Sequence, residues 1–301
     1  MKILLFGPNG QVGRELQRSL SLVGEVRSCD RSVVDLEDSD RLRAVIKELQ
    51  ADVVVNAAAY TAVDHAENEP QKAKLVNTDA VAIMAEEVKR QNSLLFHYST
   101  DYVFDGEKTS PYEEVDIRNP INVYGRTKRD SELAVIGSEC RFIMFRISWI
   151  YSLYGSNFFK KMLSLASEKR EIKVIADQIG APTSAALVAD VTAFCLYRLR
   201  FDDVSKALVG ETYHVAPSGH TSWYDYARFV LTEATKFGIE LRVKGDEILP
   251  VTTDDYPLTA RRPRNSRLNT SKLESRLNIV LPAWEYHLKR HIQQIPLRGY
   301  A

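Results

Sequence analysis

The chain has 301 residues, 45% of them hydrophobic, and its 40 basic residues balance 40 acidic ones at a pI near 7. Such a neutral chain has no overall field to draw in nucleic acid or an anionic membrane, and its length suffices for one large domain or two modest ones. Cys29, Cys140 and Cys195 are odd in number, far apart and in no metal-like spacing, which excludes a disulfide framework and fits a reducing cytoplasm.

The first apolar run, Ile3–Phe6 in "KILLF", breaks at once on "GPNG". It is too short for a signal-peptide core or a membrane span. Further runs, "EVRSC", "DVVVN", "LLFHYS" and "RFIMFRIS", alternate with segments of helical period at Gln11–Leu22, Ser39–Gln50, Gln71–Gln91 and one from about Asn122. Continuous rather than alternating hydrophobicity predicts strands covered on both faces, hence a parallel sheet wrapped by helices. From about Tyr151 the rhythm loosens. Helices are predicted at Asn157–Glu168, Ala185–Leu199, Ser222–Lys236 and Ala283–Ile292, and strands at Lys173–Ile175 and Glu211–Val215. Pro and Arg cluster in "YPLTARRPRNSRLNT". The expected architecture is α/β: a Rossmann-like, doubly wound parallel sheet over 1–150, with later segments returning to it. A smaller C-terminal α/β region over 151–301 would hold the substrate.

The motif "FGPNGQVG" puts Gly7, Gly10 and Gly13 directly after the first strand, opening a helix. Without side chains, a backbone can turn tightly there and a pyrophosphate can approach the helix N-terminus. An ordinary glycine-rich turn is the alternative. Asp30 at the end of the second strand favours a dinucleotide, whose ribose hydroxyls it would accept, while a solvated loop acid is its alternative. Arg31 beside it faces a 2′-phosphate equally well, so NADH and NADPH both stay open. Gln11, Val12, Asp35, Leu36, Tyr60 and Tyr98 join the expected cofactor shell. "VVVNAAAYTAVD" contributes Ala57, Ala58, Ala59 and Thr61, whose small side chains leave room for a flat cofactor or simply pack strand on helix. Asp64, His65 and Glu67 read as a solvated helix start, not a metal cluster.

"NVYGRTK" carries Tyr124 and Lys128, four apart and so on one helical face. A free phenol has a pKa of about 10, and a neighbouring ammonium is expected to bring it down, which suits general acid catalysis. A surface Tyr–Lys pair is the alternative. The strand ending in "YST" precedes it, so Thr100, Tyr124 and Lys128 are expected to converge at the carboxyl edge of the sheet. Capping of the next turn is the other reading of Thr100 and Asp101.

Together these pieces resemble the extended short-chain dehydrogenase/reductases that act on nucleotide sugars. "LLFGPNGQVG", "VVVNAAAYTAVDHAE", "HYSTDYVFDG", "NVYGRTK", "DQIGAPT" and "RPRNSRLNT", in that order, resemble the dTDP-4-dehydrorhamnose reductase family over essentially the whole chain. The resemblance implies NAD(P)H-dependent reduction of the C4 ketone of a dTDP-4-keto-6-deoxyhexose. Tyr124 would donate the proton, Thr100 would hydrogen-bond the carbonyl, and Lys128 would hold the nicotinamide ribose and lower the tyrosine pKa. Asp101 and Tyr102 would line the sugar site, Trp149 would wall the deoxysugar, and Asn157, Phe158 and "DQIGAPT" would shape the thymidine-diphosphate side. Arg262 would pair with a phosphate. Related 4,6-dehydratases carry Asp-Glu where Asp101-Tyr102 stands, so the eliminating glutamate is absent. Epimerases of the same branch, and a cofactor-binding regulatory subunit, are the competing readings. The resemblance also implies, for some members, a magnesium-assisted homodimer, here through Glu15 and Glu285. Ala186 stands where a further acid is expected, which argues against the metal bridge.

Overall fold

The computed structural model describes residues 1–295. Strand β1 (Lys2–Phe6) runs buried into the glycine turn, and α1 (Gln11–Leu20) leaves it. β2 (Glu25–Cys29), α2 (Ser39–Leu49) and β3 (Val53–Asn56) follow at the predicted places, but β2 is an edge strand with only Cys29 buried rather than one covered on both faces. A short α3 (Val63–Asn68) comes next. The helix expected over 71–91 is broken: α4 (Pro70–Lys74) passes through a π-helical turn at Leu75–Asp79 into α5 (Ala80–Gln91). The wider turn rotates Asn77 inward, out of the 3.6-residue period.

β4 (Leu94–Thr100), α6 (Val123–Ser138) and β5 (Arg141–Ile147) complete the first half. The second half begins with β6 (Ile150–Tyr151), α7 (Phe158–Glu168), β7 (Lys173–Ile175), β8 (Ile179–Gly180) and β9 (Thr183–Ser184). Then come α8 (Ala185–Phe201), β10 (Glu211–Val215), β11 (Thr221–Ser222) and α9 (Trp223–Lys236). β12 (Leu249–Val251), α10 (Ser271–Leu277) and α11 (Trp284–Gln293) close it. Asn122, Asn157, Ser184 and Ser222 each accept a first-turn backbone N–H of the helix that follows. Each such cap contributes about 1 kcal/mol, so these helices start where a polar residue meets the apolar period.

Six strands form one parallel sheet in the order β2-β1-β3-β4-β5-β10. Beside β1 stands β2 alone, where the usual dinucleotide-binding sheet has two strands, because α2 leads straight back to pair β3 with β1. Chain direction across the sheet reverses between β1 and β3, and a crevice opens there at the carboxyl ends. Leu16 and Leu20 of α1, Val188 and Leu196 of α8 and Leu273 of α10 bury one face. Val45 of α2, Met84 and Val88 of α5 and Val135 of α6 bury the other. β10 therefore returns from the second half to extend the sheet. A separate core joins Phe159 and Met162 of α7, Tyr226 and Val230 of α9 and Leu288 of α11. Val103, Phe104, Tyr112, Ala181, Ala216 and Leu268 form a further small cluster.

Candidate active site

The loops leaving β1, β2, β3 and β4 border one cavity of about 810 Å³, closed on the other side by α6 and residues 147–156. Gly7 turns with φ +76°, and a Cβ there would lie 2.7 Å from the Ala58 nitrogen. Only glycine lets β1 and the β3 loop approach so closely. A Cβ on Gly13 would lie 1.9 Å from the Gly7 carbonyl oxygen. Gly13 therefore stands behind the turn, seating α1, while Gly7, Gly10, Gln11 and Val12 border the cavity. The α1 N-terminus, with its unpaired N–H groups, opens onto this space and fits a pyrophosphate.

Asp30, Arg31, Asp35 and Leu36 border the end beyond β2. The Asp30 carboxylate accepts from Ser32 Oγ at 2.6 Å, Ser32 N at 2.9 Å and Asn9 Nδ2 at 3.1 Å. These bonds, the Ser32 hydroxyl foremost, hold it below the usual carboxylate range, so it meets a ribose as an ionised acceptor. Ala57, Ala58, Ala59 and Thr61 form the third side. Tyr60 is not on the wall. Its phenol bonds Glu69, and Asn77 clamps its backbone, accepting from Tyr60 N at 2.8 Å and donating to its carbonyl at 3.1 Å. Asn77 also donates to Thr127 Oγ1 on α6 at 3.0 Å. Sequence reading missed Asn77, since the only trace of it is an Asn-Thr pair interrupting an apolar period.

At the other end, Thr100 is the last residue of β4 and is 5% exposed. It caps a 3₁₀ turn at Asp101–Val103, accepting from Tyr102 N at 3.2 Å, and donates to Asp101 Oδ1 at 3.0 Å. Capping and facing the cavity are thus both true of it. Tyr98, Asp101, Tyr102, Tyr124 and Lys128 border the same space. Lys128 Nζ donates to the Tyr98 carbonyl at 2.6 Å and touches His97 Nε2 at 3.3 Å. Its remaining donors are left for a ligand. Burial pulls this ammonium down to about 8. Burial also pushes the Tyr124 phenol well above its ordinary value, although the Thr100 hydroxyl counters it. This corrects the expectation of a phenol lowered by Lys128: burial dominates, and the phenol keeps its proton at neutral pH.

Trp149 borders the cavity with φ +48°, rare for a bulky residue. Its indole stacks on Trp223 with centroids 3.6 Å apart and planes 13° apart, and it covers Gly180. Asn157 and Arg262, like Phe158 and the "DQIGAPT" segment, stand off the wall. Asn157 caps α7 and donates to Gln11 Oε1 and the Ser152 carbonyl, each at 2.8 Å, so it acts through Gln11. Arg262 pairs with Asp64 at 2.7 Å, so its guanidinium is already committed, and its charge reaches the Tyr102 phenol. Ile147, Ile150 and Ser156, which flank Trp149 and "GSN", border the cavity without having been picked out. For the metal, Glu15 lies on Arg18 at 3.0 Å, and the same guanidinium grips Asp190 at 2.8 Å. Arg18 thus already pairs with Glu15 and with the neighbouring Asp190. No group of three or more metal-ligating side chains occurs among the described residues.

The family model described as RmlD substrate binding domain matches residues 1–296. The dTDP-4-dehydrorhamnose reductase of Salmonella typhimurium is 43% identical over 299 residues, covering 98% of each chain. The chain belongs to the dTDP-4-dehydrorhamnose reductase family. The reductase of Burkholderia thailandensis is 43% identical over 286 residues, 95% of this chain and 96% of that one. Among solved structures of the family, the Clostridium acetobutylicum ortholog superposes with a TM-score of 0.88 at 34% identity, covering 98% of this chain and 99% of the other. The Bacillus anthracis enzyme, solved in complex with NADP, gives 0.85 at 31% identity with the same coverage.

Proposed function

We propose that this protein reduces the C4 ketone of dTDP-4-dehydro-β-L-rhamnose with NAD(P)H, giving dTDP-β-L-rhamnose as the last step of dTDP-L-rhamnose synthesis. One observation carries the assignment of roles: Thr100, Tyr124 and Lys128 border the same cavity as the glycine turn and Asp30. The dinucleotide, when bound, supplies the hydride. Asp30 accepts the adenosine ribose, and Arg31 stands ready for a 2′-phosphate. Lys128, fixed by the Tyr98 carbonyl, holds the nicotinamide ribose with its free donors. As negative charge grows on the C4 oxygen, Tyr124 gives up its phenolic proton and Thr100 donates a hydrogen bond, both placed in advance. Burial suits this direction of reaction, because a phenol that retains its proton is the form a reduction consumes. Trp149 walls the hexose, and Asp101 and Tyr102 line it. Cys29, Cys140 and Cys195 are all free and buried, which accords with a place in the cytoplasm.

The deciding test is loss of NADPH absorbance, and separately of NADH, on adding the keto-sugar to purified protein. Turnover with product identified as dTDP-rhamnose supports the reading. Cofactor binding without turnover would favour the regulatory subunit, and conversion without cofactor consumption would favour the epimerase.

A further inference from the structure

The reading above gives Asp101 a place but no protonation state. Its side chain is buried, with 3% of the residue exposed, at the cavity wall. Oδ1 accepts the Thr100 hydroxyl at 3.0 Å, whereas Oδ2 is buried without a hydrogen-bond partner. Thr100 has one proton. The Tyr102 N–H already occupies one side of its oxygen, and Asp101 Oδ1 lies within reach of its hydroxyl at 3.0 Å. An ionised carboxylate accepts more strongly than a ketone oxygen. As long as Asp101 is ionised, it therefore holds the only proton Thr100 can offer the substrate.

Resting on the reductase reading, we propose that Asp101 is a proton-controlled positioning residue. Neutral, it donates its own O–H to Thr100 Oγ1 and releases the Thr100 hydroxyl toward the substrate carbonyl. Ionised, it holds that hydroxyl back. Asp101 keeps its proton throughout turnover; the proton that leaves comes from Tyr124. The surroundings shift the carboxyl toward the neutral form. Burial lifts the carboxyl to about 6, against the pull of the Ser266 and Thr100 hydroxyls. The titratable neighbours are the Tyr102 and Tyr124 phenols, both protonated at neutral pH, with Lys128 one turn further along α6. Arg262, the cation near Tyr102, is paired with Asp64. No ion pair reaches Asp101 among the described residues. A bound dinucleotide and sugar would exclude water and lift the carboxyl further.

The sign follows directly: kcat is full where Asp101 is neutral and is lost as pH rises through its pKa. The experiment is kcat and KM against pH, with keto-sugar and NADPH, for the wild type and Asp101→Asn. Wild-type kcat is expected to fall roughly tenfold per pH unit above that pKa. Asp101→Asn, whose amide always donates, is expected to lose this limb. An unchanged limb in the variant, a change in KM alone, or a folded variant dead at every pH would overturn the proposal. So would a ¹³C-labelled Asp101 carboxyl in the wild-type protein, assigned by its disappearance in the variant, that titrates in the ordinary carboxylate range. That titration decides the matter even if Asp101→Asn does not fold. Absence of wild-type turnover, with the carboxyl titrating high, would instead count against the reductase reading.

Discussion

Tyr124 illustrates how burial settles a residue's chemistry. Its phenol is held protonated by desolvation, so it is a weak acid awaiting a strong base, and the alkoxide forming at C4 is such a base. Tyr124→Phe is expected to lower kcat at least roughly a hundredfold, the range for a positioned general acid. NADPH binding, followed by fluorescence titration, should persist, since Lys128 and the glycine turn are untouched. A near-normal rate would remove Tyr124 from its role. Arg31 sits beside Asp30 at the cavity's far end. A charge-assisted contact to a 2′-phosphate is worth about 1.5 kcal/mol or more. Arg31→Ala should therefore raise KM for NADPH roughly tenfold and leave KM for NADH unchanged. Equal effects on both would place the arginine elsewhere.

Among the elements, β8 looks negligible, two residues long, yet its Gly180 packs under Trp149, the proposed sugar wall. A Cβ on Gly180 would lie 2.5 Å from Trp149 Cε2. Gly180→Ala must push the indole off Trp223, with which it stacks. The expected result is a KM for the nucleotide sugar raised several-fold with NADPH affinity unaltered, read by steady-state kinetics beside a cofactor titration. Loss of both affinities would mean general disruption rather than a displaced wall. The π-helical turn works at the same scale. By rotating Asn77 under Tyr60 and against Thr127, it ties the β3 loop to α6, so the alanine-lined side of the cavity and the helix carrying Tyr124 share one scaffold.

Across the whole molecule, one buried cluster joins the sheet to its coverings. Glu132 of α6 accepts from Ser99 Oγ at 2.6 Å, from Arg146 at 2.8 and 2.7 Å, and from Arg118 at 3.2 Å. It binds the ends of β4 and β5 and the 112–118 loop to the helix that carries Tyr124 and Lys128. Glu132→Ala leaves the Arg146 guanidinium buried and unpaired, and a loss of about 3–5 kcal/mol is expected in urea unfolding. Although burial works against it, the Arg146 guanidinium holds the Glu132 carboxyl below its ordinary range. Its contribution is thus complete above the unfolded pKa of about 4.3 and is lost as pH falls through the folded value. Wild-type stability should drop more steeply in acid than that of Glu132→Gln. Parallel curves would mean that the carboxyl is not what acid removes.

Much of this was legible in the chain itself. Continuous apolar runs determined β1, β3, β4 and β5, because strands covered on both faces need no polar side; β2, expected to be buried as well, is an edge strand with only Cys29 buried. Polar caps before apolar periods determined where α6, α7 and α9 start. The glycine turn, Asp30, Thr100, Tyr124 and Lys128 were named from type and spacing, and all but Gly13 of the turn border the cavity. What only the tertiary structure decided depends on partners far apart in sequence. Arg262 is taken by Asp64 and Asn157 by Gln11, pairings that no local pattern encodes. The Tyr124 phenol rises rather than falls because desolvation is a property of everything packed around a group, not of the residue four positions along the helix.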